Sequence, residues 1–433
     1  MVSRLGRNRR DGLPRRGHAP YVLGVAIIST TMCYPHAAAP TQGIFVRHRL
    51  REIARHLPLA VVAPVPWFPI LRPKRVPFKD STTENPPVWR PRMFCIPGVR
   101  KSADDLLYAG ALAHGISGAG LKDNVQLLDA HFEWPDGAGA FAVAKELRVP
   151  FVCTLRGKLV SQTKYPDRRK SIIKMLTGAD GLIAVSQSLA DLARELAGRD
   201  LKMHVIPNGV DTENFRRFED GQAPTKPSQA AREALGWDPG VRYVVSVGHV
   251  QRLKGWHRLI EAWPAVRQRS GDARLVLVGG GARERRYERE LRRKIEMHRL
   301  IGAVRFTGRV EPDDVARMLN AADLYVQASR SEGWCNAIAE ALGCGCPVVA
   351  TNVGGNRELI TSDALGALVE LDDRNALVDA IVRGLSREWN RRQIAQAGGR
   401  RDWQQVGLEC ADVLRGVMSR GRRTAAGDSA ARA

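Results

Sequence analysis

The chain has 433 residues, a formal net charge of +22 and an isoelectric point near 10.3. That length suits two ordinary domains with a core each, and no apolar run reaches the eighteen or so residues a membrane span requires, so a soluble or peripheral protein is expected. The charge admits three readings: positive side chains spread over solvated helix faces, an anionic membrane surface, or nucleic acid, the last without a recognised module behind it.

Seven cysteines, at 33, 95, 153, 335, 344, 346 and 410, form no C-x-x-C pair, and several sit in apolar contexts. Reduced, buried thiols in a cytoplasmic protein are expected, with no zinc site. The first twenty residues hold six Arg against one Asp. With Y-V-L-G-V-A-I-I after them they could pass for a signal peptide, but the same apolar run suits the first strand of a doubly wound sheet. That reading leaves residues 1–20 as a basic, disordered leader.

After this strand a loop ends at Gly43, and a helix follows with Val46, Leu50, Ile53 and Ala54 at helical spacing. Leu59 to Ala63 reads as a second strand. The next stretch, P-V-P-W-F-P-I-L-R-P-K-R-V-P, is too rich in proline for regular structure. Its Trp67, Phe68, Arg72, Lys74 and Arg75 would suit a lipid headgroup or an ordinary irregular loop. Val125 to Leu128 is the next strand, running into D-A-H-F-E-W-P-D-G, with a helix starting near Gly137. His131 thereby falls at the C-terminal end of a parallel strand, where open α/β sheets place ligand contacts. Phe151 to Thr154 repeats the pattern and leads into L-R-G-K; Ile183 to Val185 opens onto a helix with Ser186 as its N-cap. His204 to Pro207 closes the half at I-P-N-G-V-D, and residues 212–240 read as a linker with one short helix.

The second half starts with a strand, Val241 to Val247, then G-H-V-Q-R-L-K-G-W and a helix that turns Leu259, Ile260 and Trp263 inward. Leu275 to Gly281 is a strand with a glycine-rich exit, and the Arg- and Glu-rich segment after it suits a solvated, ion-paired helix. Val304 to Thr307 is a further strand. At Leu324, Tyr325 and Val326 another strand begins, turns through Glu332-Gly333, and passes into a helix carrying Ala337, Ile338, Ala341 and Leu342 on one face. A strand end, a glycine turn and a helix start favour negative charge, because backbone N–H groups and peptide dipoles point there. The two carboxylates Glu332 and Glu340 do not fit a bare phosphate pocket; they suit a ligand with hydroxyls beside its phosphates. Arg374 to Leu385 forms a late helix, the chain crosses back near D-W-Q-Q-V-G-L-E, and the tail after Arg420 is expected to be disordered.

The E-x7-E pattern of Glu332 and Glu340, with G-W-C-N between and G-C-P-V-V-A-T-N-V-G-G-N-R-E-L-I after it, resembles the donor site of family 4 retaining glycosyltransferases. The resemblance runs in order from about Tyr21 to about Trp403. It implies an α/β protein of GT-B architecture: two doubly wound, Rossmann-like domains facing across a cleft. Residues 21–211 would bind the acceptor, 241–400 the nucleotide sugar, and 401–433 would be a crossover helix and basic tail.

The resemblance also implies site residues. Gly43 would bring the backbone near the donor diphosphate, or serve only its turn. His131 would reach and orient the transferred sugar, and Glu332 would contact it. Lys254 would grip the diphosphate together with an Arg; His249 occupies that Arg slot, and Arg252 is the substitute. Gly333, Trp334, Cys335 and Asn336 would line the donor, and Glu340 would bond the ribose. Where relatives show R-G-S-D or H-G-S-D, this chain has Arg156-Gly157-Lys158 without the Asp, so Arg156 and Lys158 are the acceptor candidates. No metal or cofactor is expected, since no D-x-D stands where a diphosphate-bridging cation would need it.

The implied reaction is transfer of a sugar from a nucleotide-diphosphate sugar, with retained anomeric configuration, to a lipid-linked or polysaccharide glycan of exopolysaccharide or cell-envelope synthesis at the cytoplasmic membrane face. The rival is a GT-B-like protein that binds sugar nucleotide or polyanion without transfer. A nucleic-acid partner is not expected.

Overall fold

The computed structural model describes residues 25–37, 39–68, 80, 81, 83–95, 101–219, 221, 223–280 and 285–430. The basic leader and most of the proline-rich 64–77 stretch, with Arg72, Lys74 and Arg75, lie outside them. In the first half the strands are β1 Ile27–Thr30, β2 Leu59–Val62, β3 Val65–Trp67, β4 Val88–Trp89, β5 Arg92–Phe94, β6 Leu127–His131, β7 Phe151–Leu155, β8 Gly181–Ala184 and β9 Met203–Val205. In the second half they are β10 Arg242–Val247, β11 Ala273–Val278, β12 Val304–Gly308, β13 Leu324–Gln327, β14 Val348–Thr351 and β15 Gly366–Val369.

Two parallel sheets result, ordered β4-β2-β1-β6-β7-β8-β9 and β12-β11-β10-β13-β14-β15, and β3 pairs with β5 alongside the first. Strands such as β1, β2, β7 and β13 are buried along their whole length, as apolar strands covered by helices on both faces must be. In each sheet the strand order reverses once, between β1 and β6 and between β10 and β13. Loops diverge at the C-terminal ends of those pairs and leave a crevice. His131 ends β6, and the Glu332 turn follows β13.

Several elements differ from expectation. Val65–Trp67 is a strand despite its proline, because Pro66 sits in a two-stranded pair with an open edge and needs no ladder donor there. β6 lies two residues later than its apolar run suggested, taking Asp129 and His131 into the sheet. The helix Asp104–Gly118, unassigned from sequence, buries Tyr108, Leu112 and Ile116. The 212–240 segment carries the short helix Gln229–Leu235, and Phe215, Ala231 and Trp237 of this segment pack into the second core. The basic tail is helical: Trp403–Ala430 is one helix.

That last helix returns to the first domain, where Val406, Cys410 and Leu414 pack with Val46, Leu50 and Ile53 of the helix Ile44–Ala54. The two chain crossings meet, since Val210 N–H donates to the Arg401 carbonyl at 2.9 Å. Away from them a clasp joins the domains. Glu358 of the second domain accepts from the N–H groups of Gln187 (2.7 Å) and Ser188 (2.9 Å) and from the Ser188 hydroxyl (2.9 Å), at the start of the helix Gln187–Ala197 in the first. No described helix is long and apolar enough to cross a membrane.

Candidate active site

The two crevices face each other and enclose a cavity of about 640 Å³. From the first domain Thr41, Ile44, Phe45, Arg47, His48 and Arg156 line it; from the second come the loops after β10 and β13 and the helix Asn336–Gly343. The domains touch at its floor. A Cβ on Gly333 would lie 2.7 Å from the Arg156 carbonyl oxygen, and one on Gly157 would lie 2.8 Å from the Gly333 Cα. Only glycines permit that approach.

Lys254 and Glu332 form the polar centre of the second domain's wall. The Lys254 Nζ donates to Glu332 Oε1 at 2.7 Å, and the same carboxylate accepts from the Ser329 hydroxyl at 2.6 Å and Gln327 at 3.3 Å. Burial works against the Lys254 charge, but Glu332 more than offsets it and holds the ammonium above its usual range. Gly354 fixes the turn from behind, where a Cβ would fall 1.8 Å from the Glu332 carbonyl oxygen. Glu340 lines the cavity from inside the helix; burial, with Asp211 adding to it, raises its carboxyl to about 7. Cys335 also lines the wall, and burial followed by Glu332 pushes its thiol to about 12, so it is no nucleophile.

On the opposite wall His131 is one hydrogen bond removed from the cavity. It is 1 % exposed, its Nε2 lies 3.2 Å from Asp129 Oδ2, and its Nδ1 accepts from Arg156 Nη2 at 3.1 Å. Burial, against the pull of Asp129, keeps the imidazole below its usual pKa, so it is neutral. Burial alone would raise Asp129, but His131 and the Ser29 hydroxyl bring it below the ordinary carboxylate value. Arg156 is what reaches the cavity. Its Nη1 also donates to Asn208 Oδ1 at 3.3 Å, and Asn208 Nδ2 donates to Asn336 Oδ1 at 3.0 Å. The I-P-N-G-V-D junction thus ties the first domain to the first residue of the helix Asn336–Gly343.

The remaining sequence candidates separate clearly. Gly333, Trp334, Cys335, Asn336 and His249 line the cavity. Gly43 does not line it; at φ 67° it makes the turn that Thr41 and Ile44 flank, and a Cβ there would lie 1.9 Å from the Cys33 carbonyl oxygen. Arg252 also lies outside the lining: it pairs with Glu290, its guanidinium over the Tyr287 ring. Lys158 is likewise outside it, with Nζ 4.4 Å above the Phe132 ring and 3.4 Å from the Trp134 carbonyl. Asp211, Asn214, Arg309, Arg47, His48 and Trp403 line the cavity without having been singled out from sequence. Asp211 was within reach as the last residue of I-P-N-G-V-D; the others depend on which helix face or loop side turns to the cleft. Among the described residues no group of three or more His, Cys, Asp or Glu side chains is placed to hold a metal ion.

Comparison with known proteins agrees with this architecture. The family described as Glycosyltransferase Family 4 matches residues 7–214, and that described as Glycosyl transferases group 1 matches residues 227–401. A Bacillus subtilis protein carrying the name teichuronic acid biosynthesis glycosyltransferase TuaC is 30% identical over 376 residues, 82% of this chain and 88% of that one. Among solved structures, sucrose-phosphate synthase of Thermosynechococcus elongatus superposes with a TM-score of 0.73 at 20% identity, covering 91% of this chain and 99% of that one. Anabaena HepE in complex with UDP and glucose gives 0.69 at 21%, covering 90% and 100%.

Proposed function

This chain belongs to glycosyltransferase family 4 and is a glycosyltransferase of GT-B fold, and from that premise we propose that it moves a sugar from a nucleotide-diphosphate donor to a cell-envelope or exopolysaccharide glycan with retention of configuration. The observation that carries the proposal is the Lys254–Glu332 pair facing Glu340 in one interdomain cavity. The donor's diphosphate fits beside Lys254 and the N-terminus of the helix Asn336–Gly343, where charge builds as the sugar–phosphate bond breaks. Glu332 orients that ammonium and presents an acceptor to the sugar hydroxyls; Glu340 faces the ribose. The UDP in the HepE structure supports a nucleotide donor.

The acceptor enters from the wall of Phe45, His48 and Arg156 and attacks the face that the diphosphate leaves, with the departing phosphate taking the acceptor proton. His131 acts through Arg156, orienting it. Lys254 and the helix dipole carry the charge a metal would otherwise carry, so the reaction is metal-independent. The net charge of +22 suits peripheral attachment to the anionic cytoplasmic face of a membrane, where a lipid-linked acceptor resides. A TuaC-like role in an envelope polymer is consistent with this.

A second reading, binding without transfer, is favoured by His249 in the usual Arg position and by the engagement of Arg252 with Glu290. Release of nucleoside diphosphate from UDP-, GDP- and ADP-sugars, with and without EDTA and with Glu340→Ala as control, separates the two. Turnover of one donor that survives EDTA and vanishes in the variant is the expected result; donor binding without any turnover would overturn transfer.

A further inference from the structure

Arg156 is a buried cation that forms no ion pair with a carboxylate among the described residues. Its guanidinium has five N–H groups. At most three are engaged, by His131 Nδ1 and Asn208 Oδ1, and both acceptors are neutral. The nearby carboxylates are committed elsewhere. Asp129 holds Ser29 and His131, while Glu133 accepts from the backbone N–H groups of Arg156, Gly157 and Lys158. A second guanidinium, that of fully buried Arg49, shares Asn208 Oδ1 at 3.2 Å and adds to the positive field. Burial, followed by Arg49, lowers the Arg156 pKa to about 9, which is the signature of uncompensated charge.

On that wall the Phe45 ring lies 5.1 Å from the Arg156 guanidinium, a contact that supplies no counter-anion. Arg47, His48 and Arg156 line the cavity from the first domain; Asp211 at its C-terminal end acts on His48, and Glu332 and Glu340 belong to the second domain. An unpaired buried charge is costly unless a ligand meets it. Arginine's planar fork matches an oxyanion through two parallel bonds.

We propose that the acceptor carries an anionic group, a carboxylate or a phosphate, within reach of its accepting hydroxyl, and that Arg156 is the residue that binds it. This rests on the glycosyltransferase reading and names the acceptor class for that same cavity. The shared chemistry is an oxyanion; its source is a uronic acid in the glycan or the phosphate of a lipid carrier.

The test is calorimetric titration of the full chain, first with UDP, GDP and ADP, then, saturated with the nucleotide that binds, with methyl glucuronoside, methyl glucoside and farnesyl diphosphate. At least tenfold tighter binding of one anionic probe than of methyl glucoside is expected: the glucuronoside for a uronic acid, farnesyl diphosphate for a lipid carrier. Arg156→Gln should erase that preference and Arg156→Lys restore part of it, with thermal unfolding confirming that both variants fold. Equal binding of neutral and anionic probes, or a preference that survives in Arg156→Gln, overturns the proposal alone. Loss of nucleotide affinity in Arg156→Gln with the preference intact also overturns it and moves Arg156 to the donor. If no nucleotide binds the wild type, the glycosyltransferase reading falls and the proposal falls with it.

Discussion

Replacing Glu340 by Gln should stabilise the unliganded protein, by an amount that grows with pH. Burial and then Asp211 raise this carboxyl from 4.5 to about 7. The unfolded chain therefore loses its proton near 4.5, while the folded chain keeps it until about 7. Below pH 4.5 both states are protonated and the side chain costs nothing. From there to about 7 the native state loses stability progressively, and above 7 the loss is complete. The gap of about 2.5 pH units corresponds to roughly 3 kcal/mol, because each unit is worth about 1.4 kcal/mol. Glutamine keeps the shape and one acceptor but has no proton to lose. Thermal unfolding of both proteins without nucleotide at pH 5, 6, 7 and 8 reads the difference directly. At about 2–4 °C per kcal/mol for a domain of this size, the gap in Tm should widen by roughly 5–10 °C over that range. Curves that stay parallel would show that Glu340 ionises near its ordinary value in the folded state, and the picture of a neutral carboxyl in the cavity wall would be refuted.

Four further outcomes are expected. Lys254→Met removes the cation beside the departing diphosphate and should lower kcat about 10²–10³-fold in a transfer assay; a change under threefold would remove Lys254 from the reaction. Glu358→Ala deletes three hydrogen bonds at a helix start in the other domain, worth about 1–2 kcal/mol to the closed arrangement. Hydrogen exchange at the Gln187 and Ser188 amides should then quicken about 5–30-fold, and unchanged protection would show that the clasp does not hold the domains. Gly333→Ala places a Cβ 2.7 Å from the Arg156 carbonyl and must part the domains at the cavity floor, so activity should fall at least tenfold with Tm little changed; full activity would refute the contact. Transfer assayed in excess EDTA should match the untreated rate, and a rate restored only by a divalent cation would contradict the assignment of diphosphate charge to Lys254 and the helix dipole.

The fold was legible because most of the central parallel strands are apolar runs, and two rounds of strand and helix leave little other topology. That Lys254, Glu332 and Glu340 line the cavity was legible because each lies within a few residues of a strand end or helix start. Arg252 was misplaced by local geometry. The turn Arg252–Lys254 is a 3₁₀ turn, and two steps in a three-residue turn set side chains about 120° apart, so Lys254 entering the cavity sends Arg252 toward Glu290. Arg47, His48, Arg309 and Trp403 carry no motif, and their place in the cavity follows from how the two domains are rotated, a property of tertiary packing alone.

The placement of His131 shows what separates a motif from its geometry. Its place at the end of β6 suggests a residue that touches substrate directly. Asp129 precedes it on the same strand face, however, and one strand cannot turn two neighbouring side chains of equal parity in different directions. Asp129 is bonded to Ser29 of β1 inside the sheet, so His131 is drawn to Asp129 and offers its other nitrogen to Arg156. Arg156 in turn reaches Asn208 at the domain junction, and Asn208 reaches Asn336 at the mouth of the donor-side helix. A polar chain thus runs from the core of one domain to the cavity wall of the other through the I-P-N-G-V-D segment between them. Within that chain Asn208–Asn336 is the link between the junction and the second domain, so a separation of the domains at this point would break it.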